Sequence, residues 1–447
     1  MRFAPLVLSS TFALAACSSS DPVAPDAGAA TPPTSQCVAP TGAGTRHDGE
    51  SITADTTWTA ADSPHRITYS PTVRAGATLR IEPCAEVRIA GGYGLLVEGR
   101  LEALGTAETP IAITADDPAA PFGYLEVRGG FADLAYVSIS GGGVEEPNGD
   151  AMLEVWGAST DQRTDNARLR HVALTGSEQH GLTLERSGAL TADSTDVVIH
   201  GAKLAPVAVY GSALVGSVPA GDYTGNGADE IAVIARDPMI EDTTWHARGV
   251  PYHLGDANQN GADFRVGAST GAALATWTIE PGVTIRAADA ARILVQKSGD
   301  AITGSIVARG TTEAPVVFTS ASASPAPGLW RGLVFEAAPA ATTALDHVEI
   351  RYAGGPSQAN SFHCEPGSDG SYSRDEDAAL AVFGEPASAF LTHSLLADSA
   401  ADGVDLAYHG AALDFAAGNT FTGIARCRVT LPRSTDGSCP TPVPACQ

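Results

Sequence analysis

Along most of the chain, apolar side chains recur at every second position in short bursts. Leu79 and Ile81, Val87 and Ile89, and Leu95 and Val97 are successive pairs set eight residues apart. Alternation of this kind suits a half-buried strand, whose successive side chains point to opposite faces. Gly, Asn or Asp interrupts each burst and bends the chain. No segment carries a helical i, i+3, i+4, i+7 stripe. Three strands at this spacing make a unit of 24 residues, and that longer period recurs: Ala189-Leu190 returns as Ala213-Leu214, and Val207-Ala-Val209 as Ile231-Ala-Val233. The two periods together predict a solenoid of three strands and three bends per turn. No single turn can bury its apolar face alone, so many turns must stack.

A second, longer repeat lies over the first. The segment Ile52-Thr-Ala-Asp-Thr-Thr-Trp58 matches Ile240-Glu-Asp-Thr-Thr-Trp245, and Ala77-Thr-Leu-Arg-Ile-Glu-Pro83 matches Ala275-Thr-Trp-Thr-Ile-Glu-Pro281. Further on, Leu134-Ala-Tyr-Val-Ser-Ile139 matches Leu345-Asp-His-Val-Glu-Ile350, and Ala151-Met-Leu-Glu-Val-Trp-Gly157 matches Ala378-Ala-Leu-Ala-Val-Phe-Gly384. Order is kept and only the connecting lengths differ, which reads as a tandem duplication with halves at 37–235 and 236–432 and a Cys- and Pro-rich tail at 433–447. At about 4.8 Å per strand, some 12 to 14 turns would make a rod roughly 60–65 Å long. The interior is expected to be narrow and filled by Leu, Val, Ile and Ala.

Runs such as Ala-Thr-Trp-Thr-Ile-Glu-Pro-Gly-Val-Thr-Ile from Ala275, the Gly310-Thr-Thr-Glu-Ala-Pro-Val-Val-Phe-Thr319 strand and the Leu345-Asp-His-Val-Glu-Ile350 strand resemble those of bacterial right-handed parallel β-helix proteins of the pectin-lyase-like class. They are most similar to its lipoprotein-anchored surface members. The resemblance implies an all-β, right-handed parallel β-helix and says little about chemistry.

Composition agrees. Aromatic residues are 6%, and Gly and Pro number 48 and 29 among 447 residues, as frequent bends need. The net charge of −25 argues against nucleic acid, whose phosphates are bound by Lys and Arg, and against electrostatic docking on an anionic membrane.

The first 17 residues read as an export signal. Met1-Arg2 is a positive start, and Phe3 to Leu14 is an apolar stretch too short to span a bilayer. Leu14-Ala15-Ala16-Cys17 resembles the lipobox of bacterial lipoproteins, which implies that Cys17 is acylated and becomes the mature N-terminus. Ser18 in place of Asp implies, by the sorting pattern it resembles, the outer membrane of a Gram-negative cell. Residues 18–36, rich in Pro, Ala and Ser, cannot bury enough surface to offset their ordering entropy and form a tether.

Six further cysteines, Cys37, Cys84, Cys364, Cys427, Cys439 and Cys446, suggest disulfides in an exported chain. Six cysteines allow 15 pairings. The expected set is Cys37 with Cys84, Cys439 with Cys446, and Cys364 with Cys427. No C-x-x-C spacing points to zinc.

Candidate chemistry is sparse. Asp222, Thr224, Asn226, Gly227 and Glu230 fall at positions 1, 3, 5, 6 and 9 of a calcium-type loop, where oxygen ligands alternate around a turn. Val233 stands where the bidentate carboxylate of a full loop belongs, so calcium is the lesser reading and a structural turn the greater. A fainter echo runs from Asp256 to Asp263. His171, His347 and His393 share a Leu-x-His pattern, with Tyr136 at the same place in another turn, and read as occupants of one repeated bend. His180, His200 and His409 lack spaced partners. The acidic groups at Asp116-Asp117, Glu145-Glu146 and Asp375-Glu376-Asp377 lack the surroundings of β-helix lyases and hydrolases and read as a solvated face. The insertion from Gly354 to Asp377 holds His363 and Cys364. Trp58 and Trp245 are expected to plug the start of each half, and Trp330 is a candidate for exposure on a rung face.

Two functions remain. One is a non-catalytic, lipid-anchored surface rod with a structural, adhesive or binding role, needing no cofactor. The other is a polysaccharide-binding or polysaccharide-degrading β-helix. Carboxylates converging with an Arg, Lys or His on adjacent rungs would favour the second.

Overall fold

The computed structural model describes residues 35–144, 150–158, 163–234, 237–255, 263–357, 376–436, 438 and 446–447. They form a right-handed parallel β-helix. Among the described residues there are thirty-eight strands and two short 3-10 turns, and the strands pair in parallel except for the small Lys297–Ser298/Ala301–Ile302 ribbon.

Each turn of the first repeat has three sides. On the first, Thr56–Trp58 pairs with Thr78–Ile81 and then Arg100–Leu104. On the second, His65–Tyr69 pairs with Glu86–Ile89 and then Ile111–Ala115. On the third, Leu95–Val97, Leu125–Arg128, Ala151–Trp156, His180–Glu185 and Val207–Val209 stack in succession. Alternation places Leu125, Val127, Leu153, Val155, Leu182 and Leu184 inward, where like meets like across the register. One core cluster runs from Ile52 to Val429. A single 14-stranded sheet passes through both repeats, which makes one rod roughly 60 Å long.

The repeats join with a slip. Ile231–Val233, on the third side of the first repeat, pairs with Tyr252–Leu254, on the second side of the next. The second repeat's own third side, Asp263–Val266, Arg292–Val295, Gly332–Phe335, Ala378–Val382 and Asp402–Leu406, therefore forms a separate sheet. Equivalent faces of the two repeats look out from different sides of the rod.

Three expectations need correction. The 24-residue turn holds only where no loop intervenes: Val207 faces Ile231 one such turn on, whereas Ile350 faces Leu396 across the 354–377 insertion. The core is also not purely aliphatic. In the second repeat Trp245 and Trp277 sit 4.8 Å apart, Phe264 lies 4.8 Å from Trp277, and Phe318 packs edge-on at 6.2 Å. This cross-section takes large rings because they interlock at tilted and edge-to-face angles rather than stacking flat. Trp245 accordingly lies within a continuous core, while Trp58 fills the first turns against His47 and His65. Trp330 is not exposed: it is fully buried and its Nε1 donates to the carbonyl of Arg351.

Disulfide pairing differs in part. Cys37 bonds Cys84, as expected. Cys446, however, bonds Cys427 rather than Cys439, so neither the Cys439–Cys446 nor the Cys364–Cys427 pairing holds. The reason is spatial: the tail returns along the last turn, where Thr430 bridges Cys446. Cys364 and Cys439 themselves lie outside the described residues.

Candidate functional site

The predicted bend is real. Tyr136, His171, His347 and His393 all have left-handed backbone, with φ between +50° and +53°. They mark the equivalent corner of successive turns within each repeat, and stacking follows: Tyr136 lies on His171 at 4.4 Å and His347 on His393 at 4.9 Å.

The oxygen-bearing side chains of the 222–230 loop are spoken for. Asp222 accepts from the backbone N–H and hydroxyl of Thr224. The Asn226 amide braces the turn below it, donating to the carbonyl of Ile199 and accepting from the N–H of Ala202. Asn419 makes the same brace in the second repeat, between the Leu391 carbonyl and the Ser394 N–H. Glu230 faces elsewhere, held at 2.6 Å by His253 Nδ1 and at 3.2 Å by Arg286. Burial works to raise its pKa, but these two partners hold it below the usual carboxylate range.

The other candidates are scattered. His180 meets the carbonyl of Ala205, His200 meets Asp222 at 3.4 Å, and His409 meets the carbonyl of Ser434. Asp116 pairs with Arg66, and Asp377 takes the N–H of Ser357. Glu145, Glu146, Asp256, His363 and Asp375 lie outside the described residues, as does Cys17.

A convergence does exist, built from residues that alternation alone had passed over. On the third side of the first repeat, the residues between the inward-facing leucines and valines point outward. There Leu96, Glu126, Glu154 and Thr183 stand in register on four successive strands. Outward polar residues of a solenoid are ordinarily wet. Here Glu126 is 4% exposed and Glu154 1%. Arg128 binds Glu126 with two hydrogen bonds, at 2.5 and 2.8 Å. Glu154 has no such partner: its Oε1, like Thr183 Oγ1 and Trp156 Nε1, is buried without a hydrogen bond. Burial, then the neighbouring charges of Glu126, Asp150 and Glu185, push its pKa up to about 9, so it is a neutral acid at pH 7. Burial also raises Glu126, with the Arg128 bonds opposing.

Cations and a ring complete the cluster. The Trp156 ring is flanked by the guanidinium groups of Arg128 at 5.2 Å and Arg186 at 4.7 Å. Asp150 accepts from the hydroxyl of Tyr210, two turns on. Tyr210, Glu185 and Arg186 also line a half-open cavity of about 310 Å³, together with Arg163, Asp237 and Glu241. Arg186 links the cavity to the Trp156 ring, the neighbour in sequence of the buried carboxyl row.

The second repeat provides the contrast. Its equivalent positions, read from the strand registers, are Leu294, Val334, Ala381 and Asp405. Leu294, Val334 and Ala381 form a small apolar cluster of their own. One copy of the duplicated surface is greasy packing; the other carries Glu126 and Glu154. The signal was present in the aligned strands, where Glu154 stands opposite Ala381.

Comparison with known proteins bears on the fold. No curated protein and no solved structure matches the chain. Residues 264–361 match a family model described as a pectate-lyase-like beta helix domain. The stacked parallel sheets make the chain a β-helix, and over residues 264–361 it is similar to that family.

Proposed function

We propose that the chain is a lipid-anchored envelope β-helix whose first repeat binds a carbohydrate polymer, the second serving as structural rod. The supporting observation is the half-open cavity at the end of the first repeat, lined by Arg163, Glu185, Arg186 and Tyr210, beside Trp156 and the buried Glu126/Glu154 row that the second repeat replaces with Val334 and Ala381. The Arg163 and Arg186 guanidinium groups, the Glu185 carboxyl group and the Tyr210 ring around this concave site suit the hydroxyls and flat faces of sugars. Glu154, 1% exposed, is out of reach of a polymer, so contact with sugar falls to the residues that line the cavity. The test is a panel of envelope and plant polysaccharides read for both retention and product release. Retention that is lost in Arg186→Ala, without product, is expected. Released oligosaccharide would replace binding by catalysis, and no retention of any glycan would overturn the reading.

The anchor is tested separately. Cys17→Ser is expected to abolish fatty-acid labelling and to move the protein from the membrane to the soluble fraction. Labelled, membrane-bound Cys17→Ser protein would refute the lipid anchor.

A further inference from the structure

The corner column of the second repeat assembles a set of donors that the carbohydrate reading does not use. Ala344–Asp346 and Leu391–Thr392 pair with Leu345 on Leu391 and Asp346 on Thr392. The next residues, His347 and His393, therefore lie one above the other at the same left-handed corner, rings 24° from parallel. Both turn Nδ1 toward one carboxylate oxygen: Asp346 Oδ1 is 2.8 Å from His393 Nδ1 and 3.3 Å from His347 Nδ1. The three donor atoms lie within 4.8 Å of one another. His347 Nδ1 is buried and makes no hydrogen bond. Thr392 Oγ1 donates to the same Asp346 oxygen at 2.8 Å.

Two further facts set this corner apart. Asp346 has no guanidinium or ammonium partner among the described residues, whereas the comparable Glu230–His253 pair already holds Arg286. The first repeat has the same corner with one imidazole fewer: Tyr136 stacks on His171, which meets Asp196 at 3.3 Å. Ligands about 2.0–2.2 Å from a tetrahedral metal stand roughly 3.3 Å apart, close to the separations seen here.

We infer that Asp346, His347 and His393 form a binding site for a divalent transition-metal ion such as Zn²⁺, Ni²⁺ or Cu²⁺, with solvent completing the coordination. Two imidazoles and one carboxylate select this class. Ca²⁺, which takes six to eight oxygens, is disfavoured. A bound ion would clip together two successive turns through residues 47 apart in sequence.

The experiment uses the full chain without a histidine tag, stripped with chelator, and titrated with ZnCl₂, NiCl₂ and CaCl₂ by calorimetry and thermal melting. One Zn²⁺ or Ni²⁺ per chain and a raised Tm are expected, since an ion that binds only the folded state stabilises it. His393→Ala, at a position 64% exposed, should keep the fold and weaken binding by about tenfold or more. His347→Ala should do the same, and His171→Ala should change nothing. Absence of binding at submillimolar Zn²⁺ and Ni²⁺, equal binding by His393→Ala, or preference for Ca²⁺ would overturn the site. Failure here leaves the carbohydrate reading intact, because the two sites share no residue.

Discussion

Glu154→Gln is expected to raise the stability of the protein at pH 7 by about 3 kcal/mol and to leave it unchanged near pH 4. The native environment lifts this carboxyl from 4.5 to about 9. The unfolded chain ionises it normally. Between those two values the native state holds a proton that the unfolded state has released, so stability is full below pH 4.5 and falls as pH rises toward 9. At about 1.4 kcal/mol per pH unit, the loss accumulated by pH 7 is roughly 3 kcal/mol. Gln keeps the shape and cannot ionise, so its melting curve should be flatter with pH over this window. Thermal melts of both proteins from pH 4 to 9 decide the matter. Parallel curves would show that Glu154 is not the titrating group, and a variant less stable at every pH would show that the native acid makes a contact Gln cannot replace.

Removal of the Cys37–Cys84 bond should have the largest effect of any change at the chain's ends. It closes a loop of 47 residues that carries the first strands of the helix. The chain-entropy relation gives about 4 kcal/mol for a loop of that length. Among the described residues Thr45–Asp48 pairs on one side only, with His65–Tyr69, so this end relies on the staple more than interior turns do. In the double Cys37→Ser, Cys84→Ser protein we expect residues 45–69 to exchange their amide hydrogens rapidly while 182–209 keep their protection. Uniform protection across both segments would mean that strand stacking alone holds the N-terminal end.

The sequence made the fold legible and the site nearly illegible, for one physical reason. Period-two alternation reports which side chains face inward, and Leu153, Val155, Leu182 and Leu184 announce themselves that way. It cannot report what becomes of the outward set. Glu154 between Leu153 and Val155 reads as an ordinary solvated residue, yet in the fold, with Glu126 and Thr183 beside it on adjacent turns, it is 1% exposed. The Leu-x-His bend was readable because a corner recurs in sequence as well as in space. What placed His347 and His393 under one shared carboxylate was the register between turns, which no local pattern encodes. Cys446 was misassigned on the same account, since nearness in sequence favoured Cys439 whereas the returning tail lies beside Cys427.

The one-side slip where Ile231–Val233 meets Tyr252–Leu254 constrains how the duplication can be used. Tandem copies usually gain avidity, because the second binding event draws on a high effective concentration. That gain requires both copies to reach the same ligand. Here the equivalent faces diverge around the rod, so a flat array or a straight polymer lying along one flank meets only one of them. Bivalent engagement of such a ligand is therefore ruled out by geometry, and the chemistry of one face places no demand on the other: Glu154 stands in one copy where Ala381 stands in the other.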